Sequence, residues 1–178
     1  MGHKHTKEGI LAGALETAFA DGLSQLSFGR VAKHLGINDR IVVYYFPTKD
    51  DLITNVLLAM GGDLQAALAQ AFTGTAADHL ALTRAAWPVL TAPESDKVFA
   101  LFFEANGLAA SGREPYRALV TGIIAAWIDW LVDFFDGSDD ECRTEAEAAI
   151  ALIDGLLLLR HLAGPAAAER AAARLGVT

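Results

Sequence analysis

The chain has 178 residues, 53% of them hydrophobic and 20% charged, with a net charge of −8. That length bounds it to one or two small domains. No run of 18 apolar residues free of charge or proline occurs, so no transmembrane helix is predicted. The N-terminal MGHKHTKEG lacks the apolar core of a secretory signal. The single cysteine, Cys142, excludes an intrachain disulfide and fits a reducing cytoplasm. Its neighbours Asp139, Asp140 and Glu141 disfavour a thiolate, so a structural thiol is expected. Ala and Leu dominate and strand-like alternation is scarce, which predicts an all-α protein. P-loop, GxSxG and HExxH motifs and catalytic Cys/His spacings are absent from the sequence, and no enzyme or cofactor is predicted.

A first helix is expected from Thr6 to about Asp21, with Ile10, Leu11, Ala14, Leu15, Ala18 and Phe19 on one stripe and Gly22 as its stop. Phe28, Val31, Ala32 and Leu35 then recur at i, i+3, i+4 and i+7, one face of a second, short helix. Ser27 is placed to cap it and Gly36 to end it. Asn38 is a suitable N-cap for a third helix, Asp39 to about Tyr45, which Pro47 cannot continue. Thr48-Lys49-Asp50-Asp51 reads as a capping box with Asp in place of Glu, opening a fourth helix toward Phe72 with Gly61-Gly62 inside it. Two helices of about two turns joined by a turn of about 3–4 residues make a helix-turn-helix.

Charge supports that segment as a DNA reader. Residues 1–52 carry six Lys/Arg and six Asp/Glu, so the whole excess of eight negative charges lies in residues 53–178. A phosphate backbone repels an acidic body but not a neutral head with its basic residues on one face. Arg40 suits bidentate contact with a guanine, a discrimination of about 1–3 kcal/mol. Ser27, Tyr44, Tyr45, Thr48 and Lys49 are phosphate-type contacts, which position rather than specify. Asn38 and Asp39, at the start of the reading helix, complete the candidate DNA-binding set. Phe46 is expected in the core. His3-Lys4-His5 reads either as a basic arm reaching DNA or as sequence appended to the natural chain.

Beyond the break at Thr73-Gly74-Thr75, helices are expected at about 76–90, 95–110, 115–135 and 143–163. A short Ala-rich helix follows Gly164-Pro165. Aromatic residues crowd the middle helices, and pockets are mostly apolar with a few placed polar groups. Trp87, Phe99, Phe102, Phe103, Trp127 and Trp130 are the candidate ligand-binding residues. Glu104 and Asn106, which interrupt the apolar run VFALFFEANGLAA, join them as polar groups needing a partner. AEAAIALIDGLLLL offers apolar residues on nearly every face. Gly122 and Gly155 each cost about 1 kcal/mol against Ala, which close helix approach would offset. Helices near 115–135 and 143–163 are therefore expected to form a four-helix homodimer interface.

ILAGALETAFADGLSQLSFGRVAKHLGI and YYFPTKDDLI resemble the TetR/AcrR family of bacterial one-component transcriptional regulators. The second stretch is the more specific. The acidic remainder is similar to the family's divergent domain by architecture only. The resemblance implies an N-terminal three-helix helix-turn-helix DNA-binding domain, residues 1–47. It further implies a C-terminal helical ligand-binding and dimerisation domain, residues 48–178. It implies a cytoplasmic homodimer on a palindromic double-stranded DNA operator, usually a repressor, released by a small-molecule effector, with no membrane role. Ser27 and Lys49 fall where the family holds phosphates, and Asp39 to Tyr45 where it reads the major groove. The chain departs from the family at Arg40, often a small residue there, at Val43, commonly Tyr, and at Tyr45, usually His. These departures mean that the operator sequence cannot be inherited from a relative. The alternative reading is an all-helical small-molecule binding protein with weak or no DNA affinity.

Overall fold

The computed structural model describes residues 5–178, all in helices and their connections apart from one isolated β-bridge. His3 and Lys4, two members of the candidate basic arm, lie outside the described residues. In chain order the helices are α1 Lys7–Asp21, α2 Phe28–Leu35, α3 Asp39–Tyr45, α4 Lys49–Ala71, α5 His79–Leu90, α6 Pro93–Ala110, α7 Tyr116–Val132, α8 Asp139–Ala163 and α9 Pro165–Leu175.

The head, α1 to α3, is set by short-range chemistry. Thr6, Ser27 and Asn38 each accept a first-turn N–H of the helix they precede, from Gly9, Arg30 and Arg40. Gly36 closes α2 in the left-handed conformation, φ 66°. Gly13 lets α1 approach α2: a Cβ there would lie 2.4 Å from a Leu35 methyl. Leu23, Leu26, Val31, Val42 and Phe46 are fully buried between the three helices, so Phe46 is a core residue as expected.

Helix α4 starts on the full capping box. Thr48 Oγ1 accepts from Asp51 N–H, and the Asp51 carboxylate accepts from Thr48 N–H. It runs through Gly61-Gly62 without a break. Its length and mean hydropathy of 1.4 would also suit a membrane span. Here its first half, Leu52, Ile53, Val56, Leu57 and Met60, belongs to the head's core, and Leu68 to a second core in the body. The head core also takes in Leu101 and Ala105 of α6 and Tyr116 of α7, so packing continues across the expected boundary at residue 48.

Four body boundaries differ from expectation. Helix α5 starts at His79 rather than 76, because Asp78 caps it, and α6 starts at Pro93 rather than 95. Helix α8 begins at Asp139, not Arg143, because Ser138 and Glu141 form a second capping box. Helix α7 stops at Val132, and Phe134 C=O instead accepts the Ala76 N–H at 2.7 Å. Cys142 is buried, its Sγ facing the Phe135 carbonyl at 3.4 Å.

Candidate DNA interface and effector cavity

Val42 and Phe46 fix one side of α3 in the core, which turns Arg40, Val43 and Tyr44 outward on the opposite side. Tyr44 is 79% exposed and Val43 39%. Among the described residues no side chain bonds the Arg40 guanidinium, whereas Arg30 is held by Asp21 at 2.7 Å. Arg40 is thus free to contact a base edge, and Val43 adds an apolar surface suited to a thymine methyl.

The remaining candidates are engaged to differing degrees. Ser27 Oγ caps α2 at 3.4 Å and Asn38 Oδ1 caps α3 at 2.9 Å. Both are therefore structural caps as well as surface groups. Thr48 donates its hydroxyl to Asp51 at 2.7 Å, so the capping box already uses the proton a phosphate would need. Tyr45 is half-buried and donates to the His5 carbonyl, with its ring edge-on to Tyr44. The aromatic pair divides: Tyr44 faces out, and Tyr45 ties down the segment before α1. Asp39 and Lys49 are exposed at the first turns of α3 and α4.

The body contains an apolar cavity between α4, α5, α6, α7 and α8, with about 850 Å³ of atom-free space including its open mouth. Phe99, Phe102 and Trp127 line it, with α4 contributing Leu57, Met60, Gly61, Leu64 and Leu68. Five other candidate ligand residues lie elsewhere. Trp87 is buried against α9, its indole N–H donating to Glu169 at 3.2 Å. Trp130 packs on Phe72 and Phe134. Phe103 faces the His161 ring, and Asn106 is outside the lining.

Glu104 is the clearest correction. Its carboxylate does not face the cavity. It accepts the Leu23 and Ser24 N–H groups, both at 2.8 Å, in the turn between α1 and α2. Tyr116 of α7 bonds the Leu23 carbonyl of the same turn at 3.4 Å. The polar partner that Glu104 requires is thus the head's backbone. A helix turn of about 100° per residue separates it from Phe102 and Ala105 on the cavity side.

The polar residue that does line the cavity is Asp154 of α8, beside Ile150 and Ile153. The signal that could have found it is the lone acid in the apolar run AAIALIDGLLLL, residues 148–159. Every other lining residue is apolar or Gly. Burial alone pushes the Asp154 carboxyl up to about 6.

A helix-turn-helix head with one exposed reading face, joined by a single long helix to a hollow helical body, defines a DNA-binding protein of the two-part, all-helical class. Residues 10–56 match the family of bacterial regulatory proteins, tetR family, so the head carries that family's domain, and the whole chain has the fold of the solved regulators that follow. A transcriptional regulator from Rhodococcus sp. Rha1 superposes with a TM-score of 0.75 at 22% identity, over 97% of this chain and 94% of its own. A TetR transcriptional regulator from Legionella pneumophila gives 0.69 at 22% identity, over 98% and 97%. The multidrug binding protein EbrR, solved with proflavin, gives 0.66 at 23% identity over 96% of each chain. At these identities the likeness concerns the fold. No curated protein sequence matches the chain.

Proposed function

We propose that this chain is a cytoplasmic, ligand-responsive regulator: a homodimer that represses from a palindromic operator and leaves it when a small, largely apolar effector enters the cavity. The observation that carries this is the rigid connection of the Arg40–Tyr44 face to the cavity. The same helix, α4, opens at exposed Lys49 and lines the cavity from Leu57 to Leu68. EbrR, as a multidrug binding protein with this fold, supports a small-molecule role for the body.

The dimer would form through α7 and α8. Leu158 and Leu162 are 41% and 74% exposed. Gly122 and Gly155, exposed on the same two helices, have open space where a Cβ would point. Small residues beside exposed leucines suit close packing against a second copy. Light scattering should give twice the chain mass at micromolar concentration.

Release would work by population shift. Two heads bind when spaced for successive major grooves, about 34–36 Å apart, and an effector acts only by its preference for another spacing. Helix α6 supplies a second route besides α4, since Phe99, Phe102 and Ala105 face the cavity while Glu104 grips the head.

The test is selection from a random duplex library, then affinity at two salt concentrations with Arg40→Ala alongside. An enriched palindrome bound with steep salt dependence, and relaxed by Arg40→Ala at one position by about 1–3 kcal/mol, is the expected result. A folded dimer that enriches nothing would favour the small-molecule binding protein instead.

A further inference from the structure

Asp154 stands apart from the other acids that face the body's interior or its helix contacts. Asp96 is bonded by Arg160 at 2.8 Å, Glu145 by His79 at 2.8 Å and Asp129 by Arg143 at 2.9 Å. Glu169 accepts from Trp87, and Glu104 from two backbone N–H groups. Asp154 has no hydrogen bond or ion pair among the described residues, and no Lys, Arg or His lines the cavity it faces. An ionised carboxylate in apolar surroundings is unfavourable unless something pairs with it. Phe72, Phe99, Phe102 and Trp127 line the same cavity, and aromatic faces attract cations.

We infer that the cavity is selective for an aromatic or lipophilic monocation, with Asp154 as its counter-ion and the aromatic side chains around the ligand's apolar body. The inference rests on the reading of this cavity as the effector site and names the chemical class that the site takes. A neutral ligand of the same shape would gain the apolar contacts and leave the carboxylate unpaired. A cation gains both. With its carboxyl pushed up only to about 6, Asp154 is mostly ionised at neutral pH, which favours a cation over a neutral hydrogen-bond acceptor. A dianion or a zwitterion with its carboxylate inward would meet repulsion from Asp154 with no basic residue to relieve it.

The test uses two probes with one ring system, N-methylacridinium, a permanent cation, and acridine, neutral at pH 7.5. Fluorescence titration of the full-length protein should give at least tenfold tighter binding of the cation. Asp154→Asn keeps the shape and removes the charge. It should abolish that preference while acridine still binds, and Asp154→Glu should restore it. Equal affinities in the unaltered protein, or a preference that survives Asp154→Asn, would overturn the inference while leaving the cavity as an effector site. Loss of both probes from a folded Asp154→Asn variant would also overturn it, because a counter-ion role cannot account for loss of the neutral probe. If neither probe binds the unaltered protein, the effector-site reading falls with it.

Discussion

The head and the body hold their helices in different ways. Each of the four helices that build or anchor the head, α1 to α4, is capped by a side chain no more than three residues from the N–H it satisfies. Of the five body helices only α5 and α8 have such a cap; α6, α7 and α9 have none. The body is tied instead by distant partners: Arg160 to Asp96 and the Thr91 carbonyl, Glu145 to His79, and Arg84 to the Gly176 carbonyl. Its centre is hollow where the head's is filled. Local caps hold each helix of the head, while Leu101, Ala105 and Tyr116 of the body complete its core. A body assembled from distant contacts around a cavity can repack when the cavity is occupied.

The largest effect expected of that contrast is in the head. Phe46→Ala removes a fully buried ring and should lower stability by about 3–5 kcal/mol, measured by denaturant unfolding. A loss nearer 1 kcal/mol would mean the head can close around the void and is no more tightly packed than the body.

In the body the same kind of measurement should change sign. Asp154 is displaced from 3.8 to about 6 in the folded state, so the folded chain prefers it protonated. Its unfavourable contribution is absent below about pH 4, grows as pH rises through 6, and is complete above that. At neutral pH the displacement corresponds to about 3 kcal/mol. Asp154→Asn should therefore stabilise the unliganded protein by up to about 3 kcal/mol at pH 7.5, with the gain disappearing toward pH 4. Thermal melts across that range check it. A pH-independent gain would trace to packing rather than to the charge.

Glu104, where the two regions meet, should give the smallest stability change and the most informative one. Glu104→Ala leaves the Leu23 and Ser24 N–H groups without their acceptor, a loss of about 1–3 kcal/mol. If α6 carries the signal, N-methylacridinium should still bind this variant while its effect on operator affinity falls several-fold. Unchanged coupling would assign the whole transmission to α4.

The carboxylate pair also marks how far the sequence could be read. Glu104 and Asp154 present the same signal, a lone acid in an apolar helical run, and that signal states only that a partner is required. Which partner depends on what lies across from the helix. For Glu104 it is a turn some eighty residues earlier in the chain, and for Asp154 an empty space. The aromatic residues behave alike: Phe99, Phe102 and Trp127 face the cavity while Trp87, Phe103 and Trp130 pack elsewhere, and composition does not separate them.

By itself the sequence determined the elements and the head. Caps, glycine stops and the i, i+3, i+4 stripe act within a few residues, so their chemistry is complete in the local string. Those terms placed α1 to α4, buried Phe46 and turned Arg40 outward. Tertiary structure alone decided where α7 stops, which tyrosine of the pair faces out, which acid meets backbone and which meets the cavity. Each of these depends on surfaces brought together from distant parts of the chain, and neither spacing nor propensity specifies which surfaces those are.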